Sequence, residues 1–279
     1  MKINKNSKDA LGDWCKWLEK NFSPEQMIPK LPVIIRLDGN NFSQWTKGLE
    51  KPFDVRMVKL MQDTCEFLVK ETNAVLGYVQ SDEITLILYS DNRKSAIYHD
   101  GKKQKILSKL TGKCVSFFNE RRKFYLPKHD KVANFDCRIY QTPTLDDACL
   151  QVLWRENDAT RNSILGLSYS HYSQEQVNGL NTNILQDKLM TEKGVNWNDL
   201  PVVLKRGTYF RRTVVEKPFT ADELAGLPPL HKARTNPDLV LKRNVVDRVE
   251  FPIMNTISNR VGVIFFGEEP KQYENKQIN

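Results

Sequence analysis

The sequence predicts an α+β fold, a ferredoxin-like β-α-β-β-α-β unit followed by helical and extended C-terminal additions. Three observations carry this expectation. The run "LPVIIRLD" at 31–38 is apolar and β-branched enough for a buried strand. Two stretches, 54–73 and 103–123, repeat apolar residues at helical spacing. Between them, "GYVQSDEITLILYS" at 77–90 reads as two apolar strands joined by a tight polar turn that carries two adjacent carboxylates.

Taken in order, residues 9–20 suit a short amphipathic helix with Leu11, Trp14, Cys15 and Leu18 on one side. Strand one follows at 31–38, where Pro32 fits only near the start. Residues 39–53 are Asn- and Gly-rich and read as a loop. Asp54 suits the N-cap of a helix reaching about Asn73, with Val58, Met61, Cys65 and Leu68 inward. Strands two and three span 75–80 and 84–90. A basic helix over 103–123 turns Ile106, Leu110, Val115 and Phe118 inward, and "VANFDCRIY" at 132–140 makes strand four. In such an order strands one and two run parallel through a crossover helix, with strand three antiparallel between them. The end of strand one and the turn between strands two and three then share a sheet edge. Asp38, 44 residues before Asp82, comes to lie beside Ser81, Asp82 and Glu83. Residues 1–140 are expected to form the catalytic unit, 141–215 an extension packed on it, and 216–279 a C-terminal arm. In that arm "LPPLHKARTNPD" (227–238) reads as extended and punctuated by proline.

The chain has 279 residues and a formal net charge of +8. The imbalance sits in one segment: residues 91–131 hold 12 Lys and Arg against 4 Asp and Glu, and the remainder balances at 30 against 30. A concentrated basic face suits a polyanion, although a solvated helix face has the same composition. No apolar run approaches the roughly 20 residues of a membrane span. The start, "MKINKNSKDALGDW", lacks the apolar core of a signal peptide, so a cytoplasmic protein is expected. Five scattered cysteines, without a C-x-x-C pair, read as reduced thiols rather than a disulfide frame or zinc site.

Asp38, Asp82 and Glu83 at one point would repel each other unless a cation intervened. Hard oxygen ligands with open positions suit Mg²⁺, and two such ions can clamp the attacking and leaving oxygens of a phosphoryl transfer. This is the palm arrangement of nucleotide-polymerising enzymes. The same residues also suit an ordinary hairpin turn, with Asp38 in an Asx-turn. The loop after strand one can present successive amides of Gly39, Asn40 and Asn41 to an anion, and Lys51 can meet a triphosphate as a point charge. A nucleotidyl cyclase-like enzyme would use the same acids without needing the basic segment. An RNA-binding module on this sheet would need stacking aromatics, and strands one and three offer only Tyr89, near an end.

At these residues the chain resembles the tRNA(His) guanylyltransferase superfamily, enzymes that add nucleotides in the 3′-to-5′ direction. The resemblance rests on "RLDGNNF" (36–42), "KPFD" (51–54) and "QSDE" (80–83), and continues through 135–164 and 183–212. It implies a polymerase palm that activates a tRNA 5′ end, with ATP and GTP or other nucleoside triphosphates as substrates. By the motif match, Asp38, the Gly39 carbonyl and Asp82 would bind two Mg²⁺ ions, with Glu83 supporting and Ser81 beside them. Asn40, Asn41 and Phe42 would line the triphosphate through their amides, Lys51 would meet phosphate, and Asp54 would lie near the incoming base. Lys109 would face RNA phosphate from the second palm helix. The family also implies a tetramer built from dimers. Two positions depart from the pattern. Thr160, in "ATRNSIL", stands where the eukaryotic enzymes carry the histidine of an H-I-N-N-x-Y-N-type motif, and Ser43 stands where several relatives have histidine. These departures point to the guanylyltransferase-like branch, which prefers templated addition and 5′-end repair.

Overall fold

The computed structural model describes residues 26–92, 96–236 and 238–273; the helix expected over 9–20 lies outside them. Six strands form one sheet in the order β4-β1-β3-β2-β5-β6: β1 Val33–Gly39, β2 Leu76–Gln80, β3 Glu83–Leu88, β4 Phe135–Gln141, β5 Thr208–Pro218 and β6 Val240–Val249. Every neighbouring pair is antiparallel. β1 and β2 therefore run parallel with β3 between them, as the element order predicts.

The helices that cross between strands are α2 (Val55–Thr72) and α3 (Lys103–Tyr125), after a short α1 (Phe42–Trp45). α2 begins where Asp54 caps it and ends at Asn73, whose left-handed backbone (φ 53°) stops the helix. Alternation along β1 sends Val33, Ile35 and Leu37 into a core shared with α2 and α3, and Ile34 into a second core on the other face. Both faces of the central strands are covered, so β1 and β3 read as continuous apolar runs. The second face is closed by α4 (Leu145–Tyr169) and by residues 254–264, where Met254, Ile257, Val263 and Ile264 are buried. Glu156 of α4 joins these parts. It is buried, accepts from the Tyr209 hydroxyl at 2.5 Å, and accepts from the Met254 amide at 2.9 Å.

Three details depart from the sequence expectation. The 39–53 loop contains α1, because Phe42 and Trp45 stack at 4.8 Å and bury themselves against Phe118 and Phe135. The stretch after β5 is not simply extended. Thr220 and Glu223 form a capping box for a helical turn at Ala221–Gly226, and Glu223 is clamped by Arg243 of β6. A second short turn, Lys232–Arg234, falls inside 227–238. Finally, β5 crosses residue 215, so the sheet runs through the position where the extension was expected to give way to the arm. Among the described residues no helix is long and apolar enough to cross a membrane. The four described cysteines, Cys65, Cys114, Cys137 and Cys149, are free, and burial holds the Cys137 and Cys149 thiols up at about 12.

Candidate functional site

β1 ends on Asp38 and Gly39, and the register sets Asp38 opposite Glu83 of β3 and Asp136 of β4. The β2–β3 connection is a two-residue turn, Ser81-Asp82, with Ser81 in the left-handed region (φ 53°). The Gly39 amide donates to the Asp82 carbonyl at 3.1 Å, which ties the turn to the end of β1. Asp38, Asp82 and Glu83 thus meet at one edge. Burial, reinforced by the charge of Asp38, pushes the Asp82 carboxyl above its ordinary range. Neither Asp38 nor Asp82 has a cationic partner among the described residues.

Glu83 is different. Its carboxylate accepts from Nε of Arg155 at 2.6 Å, and Arg36 Nε stands at 4.0 Å. Arg155 also binds Asp158 at 2.8 Å, and Asp158 binds Arg161 at 2.6 Å. Trp154 lies under both Arg155 and Arg36, with guanidinium carbons 4.3 and 5.5 Å from its ring centre. Burial still raises the Glu83 carboxyl, against the pull of Arg155. Arg155 was absent from the residues singled out in the sequence. Its one local signal is the Arg-x-x-Asp spacing on α4, which is common on solvated helices.

A cleft of about 450 Å³ opens at this edge. Asp38, Ser81, Asp82 and Glu83 form one wall; Lys51 and Asp54, from the segment before α2, form another. Phe53, Met57, Met61 and Leu204 supply apolar lining. Gln62 donates to Thr208 at 2.7 Å on its floor, and Asn162 of α4 reaches it from the opposite side. Six sequence-selected residues therefore share one cavity.

The remaining selections are placed elsewhere. Gly39, Asn40, Asn41 and Phe42 flank the cleft without lining it. The Asn40 amide donates to the Asn134 carbonyl at 2.8 Å, so it is not free for a phosphate. The amides of Asn41, Phe42 and Ser43 have no acceptor among the described residues. The Phe42 ring is core, not lining, and it dictates Gly39: a Cβ there would sit 2.3 Å from Phe42 Cδ2. Gly39→Ala should therefore destabilise by about 1–3 kcal/mol through overpacking, seen as a lower urea midpoint. Asp54 is occupied by its capping role. It accepts from the Glu50 amide (3.1 Å), the Arg56 amide (3.0 Å) and the Arg56 guanidinium (3.0 and 2.6 Å). The Arg56 contact holds its carboxyl down at about 2. With both oxygens engaged, it is a wall of the cleft rather than a free acceptor for a base. Lys109 is exposed on α3, in the helix layer behind the sheet, and does not line the cleft. Thr160 turns its hydroxyl back onto the Glu156 carbonyl at 3.0 Å.

Among the described residues no group of three or more His, Cys, Asp or Glu is arranged to hold a metal ion. The donors that the cleft offers are the Asp38 and Asp82 carboxylates. That set fits Mg²⁺, which takes one or two carboxylates and keeps water or substrate phosphates at its other positions.

Comparison with known proteins shows the family. Residues 15–143 match the family model for Thg1, tRNAHis guanylyltransferase. A bacterial Thg1-like protein solved with ATP superposes with a TM-score of 0.67 at 36% identity, covering 73% of this chain and 87% of that one. Another bacterial structure, solved with GTP, gives a TM-score of 0.63 at 31% identity, with 88% and 94% covered. The tRNA(His) guanylyltransferase of Schizosaccharomyces pombe is 24% identical over 211 residues, which is 69% of this chain and 78% of that enzyme. A chain that follows solved relatives at this identity along nearly their whole length belongs to the tRNA(His) guanylyltransferase superfamily.

Proposed function

We propose that this protein is a cytoplasmic 3′-to-5′ nucleotidyltransferase that extends the 5′ end of tRNA, choosing the nucleotide by pairing with the opposite strand. The observation that carries the reading is the meeting of Asp38 and Asp82, uncompensated by any cation among the described residues, in one cleft with Lys51. β1 to β4 with α2 and α3 would serve as a ferredoxin-like palm within residues 1–140, with 141–215 packed on it and 216–279 completing the far side. Relatives whose printed names are tRNA(His) guanylyltransferase, and relatives solved with ATP and GTP, support the substrate classes.

In this reading the 3′-hydroxyl of the incoming nucleotide attacks the activated 5′ phosphorus of the tRNA. The new O–P bond forms as the bond to pyrophosphate, or to AMP after adenylylation, breaks. Two Mg²⁺ ions, when bound, would supply Lewis-acid stabilisation of the charge on the attacking and leaving oxygens. Asp38, Asp82 and the Gly39 carbonyl would hold them. Glu83, locked to Arg155, positions the turn. Lys51 and the amides of Asn41 and Phe42 would attract the triphosphate, with Ser81 beside it; Asn40 is left out because its amide is taken. The apolar walls and Asp54 would enclose the base. The basic face of α3, Lys109 included, would carry RNA phosphates, where charge sets affinity and not sequence. A tetramer of two dimers is part of the same proposal.

The test uses a tRNA transcript lacking its 5′ nucleotide, offered each of four NTPs with Mg²⁺ and ATP while the opposing base is varied. Addition that tracks the opposing base is the expected result. Addition of G regardless of that base would overturn the templated reading, and no addition on either a mono- or a triphosphorylated end would return the cyclase-like alternative.

A further inference from the structure

A second cavity, of about 310 Å³, lies at the other end of the same sheet. The catalytic acids sit at the start of β3 and this cavity at its end, about 20 Å away at the rise of a strand. Its lining includes Asn73, Ser90, Tyr98, Arg212 and Asn244, and no Asp or Glu. Two of these groups are orphaned. Nε of Arg212 and the hydroxyl of Tyr98 are buried without a hydrogen-bond partner. Arg212 has no carboxylate partner among the described residues; its guanidinium makes one hydrogen bond there, from Nη1 to Oδ1 of Asn244 at 3.0 Å. Asn244 in turn donates to Asn73 at 3.3 Å, so the amide chain props the guanidinium in place. The carboxylate near Tyr98, Glu71, is already paired with Lys113.

Buried donors without acceptors are costly, and two of them face this one cavity. The cavity offers a guanidinium fork, a phenol and two amides, so it is richer in donors than acceptors. An occupant should be anionic and planar-forked or tetrahedral in its oxygens. One feature opposes this: the C-terminal end of α2, with Thr72, borders the cavity and carries partial negative charge. That half-charge is screened and spread over the last turn, whereas Arg212 presents a full charge inside the cavity, so the anion is favoured.

We propose that this cavity is a phosphate-binding site, separate from the catalytic cleft, in which Arg212 and Tyr98 are the recognising donors. The phosphate belongs either to a small molecule or to an RNA strand passing over the basic α3 face. The site does not depend on the catalytic assignment.

The test is calorimetric titration of the full chain with inorganic phosphate, then with a 5′-phosphorylated single-stranded RNA in the presence of saturating phosphate. Arg212→Gln should weaken phosphate binding about tenfold or more, the worth of a charge-assisted hydrogen bond. Tyr98→Phe should weaken it several-fold and yet melt no lower than the parent without phosphate, because it deletes an unpartnered hydroxyl. Lys51→Ala, which alters only the cleft, should leave unchanged the part of the binding that depends on Arg212 and Tyr98, whatever phosphate the cleft itself takes up. RNA that displaces the phosphate identifies the strand as its source; phosphate that RNA leaves in place identifies a small molecule. Binding lost in Lys51→Ala but retained in both other variants, or no saturable binding at all, would overturn the proposal.

Discussion

Asp82→Asn should reduce nucleotide addition by about 1,000-fold or more while leaving the protein folded and tRNA bound. The magnitude follows from removing one of two carboxylates that would hold the catalytic cations, whose stabilisation is worth several kcal/mol at about 1.4 kcal/mol per decade of rate. The stability effect runs the other way. Burial and the charge of Asp38 raise the Asp82 carboxyl in the folded protein above its ordinary value of 3.8. Ionised Asp82 therefore opposes folding. Its contribution is most favourable below the unfolded carboxylate range and is lost as pH rises through the higher folded value. Without divalent ions, Asp82→Asn should match the parent in acid and become relatively more stable towards neutral pH. Mg²⁺ should raise the melting temperature of the parent, as any ligand of the native state does, and do so less in the variant. Full transfer activity in Asp82→Asn would remove this residue from the reaction.

The largest stability loss is expected at Arg155, not at Asp38 or Asp82. Arg155→Met removes the bonds to both of its carboxylate partners and leaves Glu83, with a side chain only 16% exposed, with no cation nearer than Arg36 at 4.0 Å among the described residues. Breaking a largely buried pair from one side costs about 3 kcal/mol or more. Urea unfolding checks the value. With Arg155 gone, the Glu83 carboxyl should climb further above the carboxylate range, since Arg155 is the main influence that lowers it. Protonation then relieves the unpaired charge, so the deficit should be greatest near neutral pH and shrink on acidification. The double variant Glu83→Gln, Arg155→Met should lose less than the sum of the singles. Equal, pH-independent losses would mean that Arg155 acts by packing on Trp154 rather than by charge.

These two variants separate roles that a single sequence motif merges. "SDE" places Asp82 and Glu83 side by side, but a strand sends successive residues to opposite sides and the turn breaks the alternation further. Asp82 is left uncompensated at the cleft, while Glu83 is committed to a guanidinium from α4, 72 residues away. Only the first has the electrostatic need that a cation would satisfy.

Much of the frame was legible because it is written in local pattern. β-branched runs, helical spacing and the Asp54 cap give the first four strands to within three residues at each end and α2 to within one, and their order alone brings Asp38 to Asp82 across 44 residues. The scattered cysteines likewise indicate free thiols without any structure. Other decisions belong to packing and hydrogen-bond accounting between distant segments, which no local pattern records. Phe42 is core because three other rings converge on it; the Asn40 amide is spent because Asn134 is there to take it. The Asp54 carboxylate, though it lines the cleft, is engaged because Arg56 and Glu50 use both of its oxygens. The Arg155 clamp, the second wall of the cleft and the donor-rich cavity beside Arg212 exist only once α4, β5 and β6 meet the sheet. The sequence by itself determined the first four strands, the two long helices that cross between them, and which acids share an edge. The tertiary structure decided which of those groups remain free to act, because a polar group's availability depends on every partner the fold brings within reach.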